Sequence, residues 1–97
     1  MSPLEKLFGK TAQLTVLEYL LEKKGEINYI SGIAEGTGLY NSSVSRVLGV
    51  LLENNMVVER KIGKQIRSFY LNEEHESIKL LIAFYEGLKS VEDGDNK

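Results

Sequence analysis

The stretch Ile33–Leu48, IAEGTGLYNSSVSRVL, holds the decisive spacing. Two helices joined by a tight turn need particular residues at particular offsets. Ala34 is small, as it must be where a second helix crosses close above it. Gly38, four residues on, supplies the positive φ that reverses the chain. Val44 and Val47, ten and thirteen residues after Ala34, face inward and lock the pair at a steep angle. The opposite face of the second helix is polar: Asn41, Ser42, Ser43, Ser45 and Arg46. Such side chains leave a helix slim enough for a duplex major groove about 12 Å wide. Serines and amides at a helix start also suit phosphate, because free backbone N–H groups point the same way.

Outward from this core, start signals recur. Ser2-Pro3 is an N-cap followed by proline at the first helical position, and it predicts a helix over 3–8. Thr11 caps a second, over 12–24, with Leu14, Val16, Leu17, Leu20 and Leu21 at helical spacing. Glu26 to Tyr29 reads as a short extended piece with Ile27 inward. A two-turn helix over 30–36 precedes Gly38. Asn41 or Ser42 then caps the longer helix, which reaches about Asn54. Val44, Val47, Leu48, Leu51 and Leu52 are its apolar stripe, and Asn55 is its left-handed terminator. Tyr40 reads as a hydrophobic staple. Residues 56–62 and 66–71 are rich in Val, Ile, Phe and Tyr, around Gly63-Lys64-Gln65, which predicts a β-hairpin. Asn72 caps a last helix, to about Val91, with Glu73 and Glu74 in its positive first turn.

The fold class is therefore α+β, mainly α, with a three-helix core and a hairpin. At 97 residues one domain is expected, over 1–91, with core and hairpin at 11–71 and the last helix at 72–91. Residues 92–97 are expected to be a disordered tail. No cysteine is present, which excludes disulfides and thiolate metal sites. The lone histidine, His75, offers no metal cluster and is expected at the surface. Gly32–Gly38 holds three glycines but lacks the Gly-Lys-Ser/Thr ending of a phosphate loop. The longest apolar run, Leu80 to Tyr85, is too short to span a bilayer, which takes about 20 residues. The N-terminus has no signal-peptide pattern. A cytoplasmic protein without cofactor, metal or membrane partner is expected. No paired catalytic groups recur on one face, so an enzyme is the least expected class.

Net charge is −2, but it is unevenly spread. Residues 40–71 carry five basic and two acidic side chains, whereas 72–97 carry three and seven. An acidic total does not exclude a polyanionic partner when cations cluster. Arg60, Lys61, Lys64 and Arg67 put positive charge on and around the hairpin tip, beside Gln65.

In these residues the chain resembles winged helix-turn-helix transcriptional regulators of the small MarR- and ArsR-related kind. The resemblance covers 11–71, and the last helix is similar to the family's dimerisation helix. It implies that 41–54 reads the major groove of double-stranded DNA and that the hairpin, 57–71, is the wing on the backbone or minor groove. The implied DNA contacts are Asn41, Ser42, Ser43, Ser45, Arg46, Arg60, Lys61, Lys64, Gln65 and Arg67. The metal-sensing role of ArsR relatives does not carry over, because its ligands are missing.

Plainer roles compete for some of these residues. Arg46 could pair with Glu53 or Glu59, Ser42 and Ser43 could serve as caps only, and Lys61 could be an edge charge that blocks aggregation. The last helix has two apolar stripes: Ile78, Leu81, Ile82, Tyr85 and Leu88, then Leu80, Phe84 and Val91. A monomer of this size buries one stripe, and a partner helix covers the other. A homodimer is expected, through Leu4, Leu7, Phe8, Leu80, Leu81, Phe84, Tyr85 and Leu88. The rival expectation is a winged-helix module that binds another protein and no DNA.

Overall fold

The computed structural model describes residues 2–95. Helix α1 (Pro3–Phe8) starts where Ser2 Oγ accepts the Glu5 N–H at 3.3 Å. Helix α2 (Ala12–Glu22) starts where Thr11 Oγ1 accepts from Leu14 N–H at 3.1 Å. It ends two residues before the expected Lys24. Glu18 of α2 is buried, and its Oε2 accepts the Leu4 N–H at 3.2 Å, which ties α1 to α2.

The extended piece is only two residues, β1 (Asn28–Tyr29). Here the expected inward Ile27 is corrected. Ile27 is exposed and Asn28 is buried. Asn28 Nδ2 donates to the carbonyls of Glu26 and Phe69, so the amide is satisfied inside.

Helix α3 (Ile30–Thr37) closes on Gly38, at φ 77°, whose N–H donates to the Ala34 carbonyl at 2.9 Å. Gly38→Ala forces a Cβ into this left-handed turn. It is expected to cost about 1–2 kcal/mol in urea unfolding. An unchanged midpoint would show that the turn does not need glycine. Gly36 meets a different demand: a Cβ there would overlap the Tyr19 ring, so α3 crosses α2 through a glycine.

Helix α4 (Asn41–Glu53) buries Val44, Val47, Leu48 and Leu51. Its N-cap is Tyr40, with no side-chain bond, so Asn41 and Ser42 lie in the first turn and cap nothing. Tyr40 is 83% exposed and makes no staple. The staple position precedes the cap, and there Leu39 packs partly buried against the core. Asn55, at φ 59°, is left-handed as expected.

Strands β2 (Val57–Ile62) and β3 (Ile66–Leu71) pair antiparallel, with Ile62 opposite Ile66. β1 pairs on the other side of β3, giving the order β1-β3-β2. The central strand carries Phe69, fully buried with Val16, Leu20, Ile33, Val44, Leu48 and Leu51.

Helix α5 (Glu76–Asp95) differs from expectation at both ends. Asn72 Oδ1 accepts from Glu74 N–H in a turn, and His75 Nδ1 accepts from Ser77 N–H. The cap role thus falls to His75, and Glu73 and Glu74 precede the helix. At the far end the helix runs through Glu92–Asp95, where a disordered tail was expected. Lys6 Nζ meets Glu92 there at 2.9 Å. Asn96 and Lys97 lie outside the described residues.

Candidate nucleic-acid interface

Burial of one stripe of α4 turns the other outward. Asn41, Ser42, Ser45 and Arg46 are exposed, and Ser43 is half-buried at the edge. Because no side chain caps the helix, its first N–H groups remain open to an external acceptor. The pairing of Arg46 with Glu53 or Glu59 is not formed. Among the described residues no carboxylate bridges Arg46, Lys61 or Lys64.

The hairpin cations do not form one patch. Strand pleating sends alternate side chains to opposite faces. Lys61 and Arg67 lie opposite each other on one face, and Arg60 lies across from Ser68 on the other. Arg67 is also committed. Its Nε and Nη2 donate to the two Glu59 oxygens at 2.8 and 3.1 Å. These bonds hold Glu59 below the usual carboxylate range and raise Arg67 further. Arg67 also sits over the Phe69 ring, 5.2 Å from its centre. It is thus a brace for the wing, a correction to its expected role as a free cation. Arg60 sits over the Tyr70 ring, 5.8 Å from its centre, and its carbonyl accepts the Ser68 hydroxyl at 2.6 Å. Lys64 and Gln65 are exposed at the tip, where Gly63 turns the chain at φ 67°.

Sequence reading missed two exposed features here. Tyr40 stands free at the start of α4, and Ile62 and Ile66 stand half-exposed at the wing tip. The signal for the second was present: a β-branched residue on each side of a three-residue loop.

The expected dimer residues divide. Leu4 is 1% exposed and Tyr85 4%, both inside the single chain, so they are corrected out of any partner surface. The Tyr85 hydroxyl donates to Glu22 at 2.7 Å, and Lys89 reaches the same carboxylate at 3.0 Å. Those bonds, Tyr85 first, hold Glu22 low, while burial and then Glu22 push the Tyr85 phenol up. Leu81 and Leu88 pack partly buried against the core. Leu7, Phe8, Leu80 and Phe84 remain exposed, as does Val91. The Phe8 and Phe84 rings meet at 6.4 Å, joining α1 and α5 in one apolar patch.

Among the described residues, no cluster of three His, Asp or Glu could hold a metal ion. No helix there is long and apolar enough to cross a membrane.

No protein-family model and no curated protein matches the chain. Solved structures do. Staphylococcus aureus MepR, a transcription regulator of the multidrug efflux pump MepA, matches with a TM-score of 0.68 at 21% identity. That match covers 94% of this chain and 66% of MepR, so the chain spans just under two thirds of that relative. Lactococcus lactis ZitR matches at 0.67 and 18% identity, over 95% of this chain and 74% of its own. Mb0332 from Mycobacterium bovis, a homodimeric winged helix-turn-helix DNA-binding domain, matches at 0.62 and 19% identity. That match covers 91% of this chain and 76% of the Mb0332 fragment, its residues 1–100. With three helices around Ala34 and Gly38, a two-stranded hairpin and a closing helix, the chain has the winged helix-turn-helix fold.

Proposed function

We propose that this chain is a sequence-specific DNA-binding transcriptional regulator that acts as a homodimer. α4 enters the major groove, and the wing meets the backbone or minor groove. The observation that carries this reading is the outward face of α4. It is exposed, slim and polar, has uncapped amides, and bears one arginine without an acidic partner among the described residues. Similarity in fold to MepR, ZitR and Mb0332 supports it. Uncapped amides with Ser42 and Ser45 suit phosphate. Arg46 has the reach and fork geometry to read guanine.

The homodimer forms through Leu7, Phe8, Leu80 and Phe84. An exposed apolar patch on two adjacent helices is covered most simply by its own copy about a two-fold axis. Two α4 helices then meet successive major grooves about 34 Å apart.

Selection of bound duplexes from a random pool, with the solution mass of the free protein, tests the reading. On a selected duplex, Arg46→Ala is expected to weaken specific binding by about 1–3 kcal/mol. Lys64→Ala is expected to lower the salt slope by about one unit. Titrations unchanged by both substitutions would remove this face from DNA. A protein-binding winged helix without DNA activity draws support from the net charge of −2 and the neutralised Arg67. It predicts duplex retention too weak to show a salt slope.

A further inference from the structure

We infer that the wing tip is an apolar wedge: Ile62 and Ile66 enter the minor groove of duplex DNA between base steps and bend it. This rests on the DNA-binding reading above. Ile62 and Ile66 are directly opposed in the ladder, on either side of the three-residue loop. They are 39% and 54% exposed, at the end of the hairpin away from Phe69 and Leu71. A cross-strand pair of this kind steadies a hairpin, yet much of both side chains stays in water.

The neighbours of the pair say what covers it. Lys61 precedes Ile62 on the opposite face of the strand, and Lys64 sits in the loop beside the pair, neither in an ion pair among the described residues. An apolar tip flanked by free ammonium groups is mismatched to a protein core. It suits a narrow groove walled by phosphates, where cations meet the backbone and the apolar end reaches the stacked bases. Proteins that kink DNA use the same combination of basic contacts and inserted Ile, Leu, Phe or Met. Gln65, between Lys64 and Ile66, adds an amide that can hydrogen-bond to the acceptors on the minor-groove floor.

A wedge must also be stiff. The bidentate Glu59–Arg67 pair fastens β2 to β3 on one face. The Ser68 hydroxyl bond to the Arg60 carbonyl fastens them again at the next pair of residues. Both lie within a few residues of the tip, so force on the isoleucines passes into the sheet.

The test uses the full chain and a selected duplex with a dye at each end. A second duplex carries 2-aminopurine at the step under the wing. The parent is expected to bend the duplex by about 20–90° and to raise 2-aminopurine fluorescence through unstacking. The double substitution Ile62→Thr, Ile66→Thr keeps the β-branched shape and makes the tip polar. It is expected to bind within about tenfold of the parent, since phosphate contacts remain. The bend and the fluorescence rise should be lost. Far-ultraviolet circular dichroism and a thermal melt establish that the variant is folded, and Ile66→Thr alone serves if the double variant is not.

A folded variant that bends as much as the parent overturns the wedge and leaves DNA binding standing. A parent that binds a straight duplex does the same. A parent that binds no duplex at all removes the functional reading first, and the wedge with it.

Discussion

Phe69→Ala is expected to lower the free energy of unfolding by about 3–5 kcal/mol, as large aromatic truncations in cores do. That is a large share of the roughly 5–15 kcal/mol that holds a domain of this size together. The site explains the magnitude. Phe69 is fully buried, and its backbone lies between Asn28 on one side and Glu59 on the other. Its ring is the peg by which the central strand reaches the helical core. The buried Asn28 amide donates to the Phe69 carbonyl, so loosening this strand also strips that amide of a partner. Urea unfolding followed by circular dichroism measures the loss. A drop below about 1 kcal/mol would mean that the sheet is held to the helices elsewhere.

Phe84→Ala is expected to weaken self-association by about 2–4 kcal/mol, or roughly 30- to 700-fold in dissociation constant. A two-fold interface contains every substitution twice, and Phe84 still has 45% of its surface in water before a partner arrives. The stability of the single chain should change less, because nearly half of Phe84 is already in water there and its ring meets Phe8 only in a tilted pair. Sedimentation equilibrium at several concentrations separates the two effects. A variant with the parental dissociation constant would move the partner surface away from α5, and a monomeric parent would remove the homodimer altogether.

The helix pair at the centre of the fold could be read from the chain because its constraints are local. Ala34, Gly38, Val44 and Val47 stand within fourteen residues of one another, and the spacing of their Cα atoms is set by helix geometry alone. The hairpin could be read for the same reason, through Gly63 and the flanking β-branched runs. What escaped depends on strand pairing or on contacts remote in sequence. The direction of Ile27 and Asn28 is set by pairing with β3, some forty residues later. Arg67 meets Glu59 along a diagonal of the ladder, which requires the register to be known. The rotation of α5 buries Tyr85 in the core, where its hydroxyl meets Glu22 on α2, sixty-three residues earlier. Leu4 was expected at the partner surface, but it is buried, and its N–H donates to the Glu18 carboxylate, which ties α1 to α2.

For the residues proposed to face DNA, type and exposure follow from the sequence pattern, whereas pairing does not. Arg46 and Arg67 look alike in composition. One is free among the described residues and the other is bound to Glu59.

The corner between α4 and β2 has a mechanical meaning. Only Asn54, Asn55 and Met56 separate the two elements, and Asn55 turns there at φ 59°. Asn72, just ahead of α5, grips this corner twice: its side-chain amide donates to the Asn55 carbonyl at 2.8 Å, and its backbone N–H to that of Met56 at 2.9 Å. Helix, finger and lever arm are therefore pinned at a single pivot. A torque that tilts α5 is delivered to the other two together, so in the proposed homodimer the spacing of the two α4 helices would be relayed through the one corner that Asn72 holds.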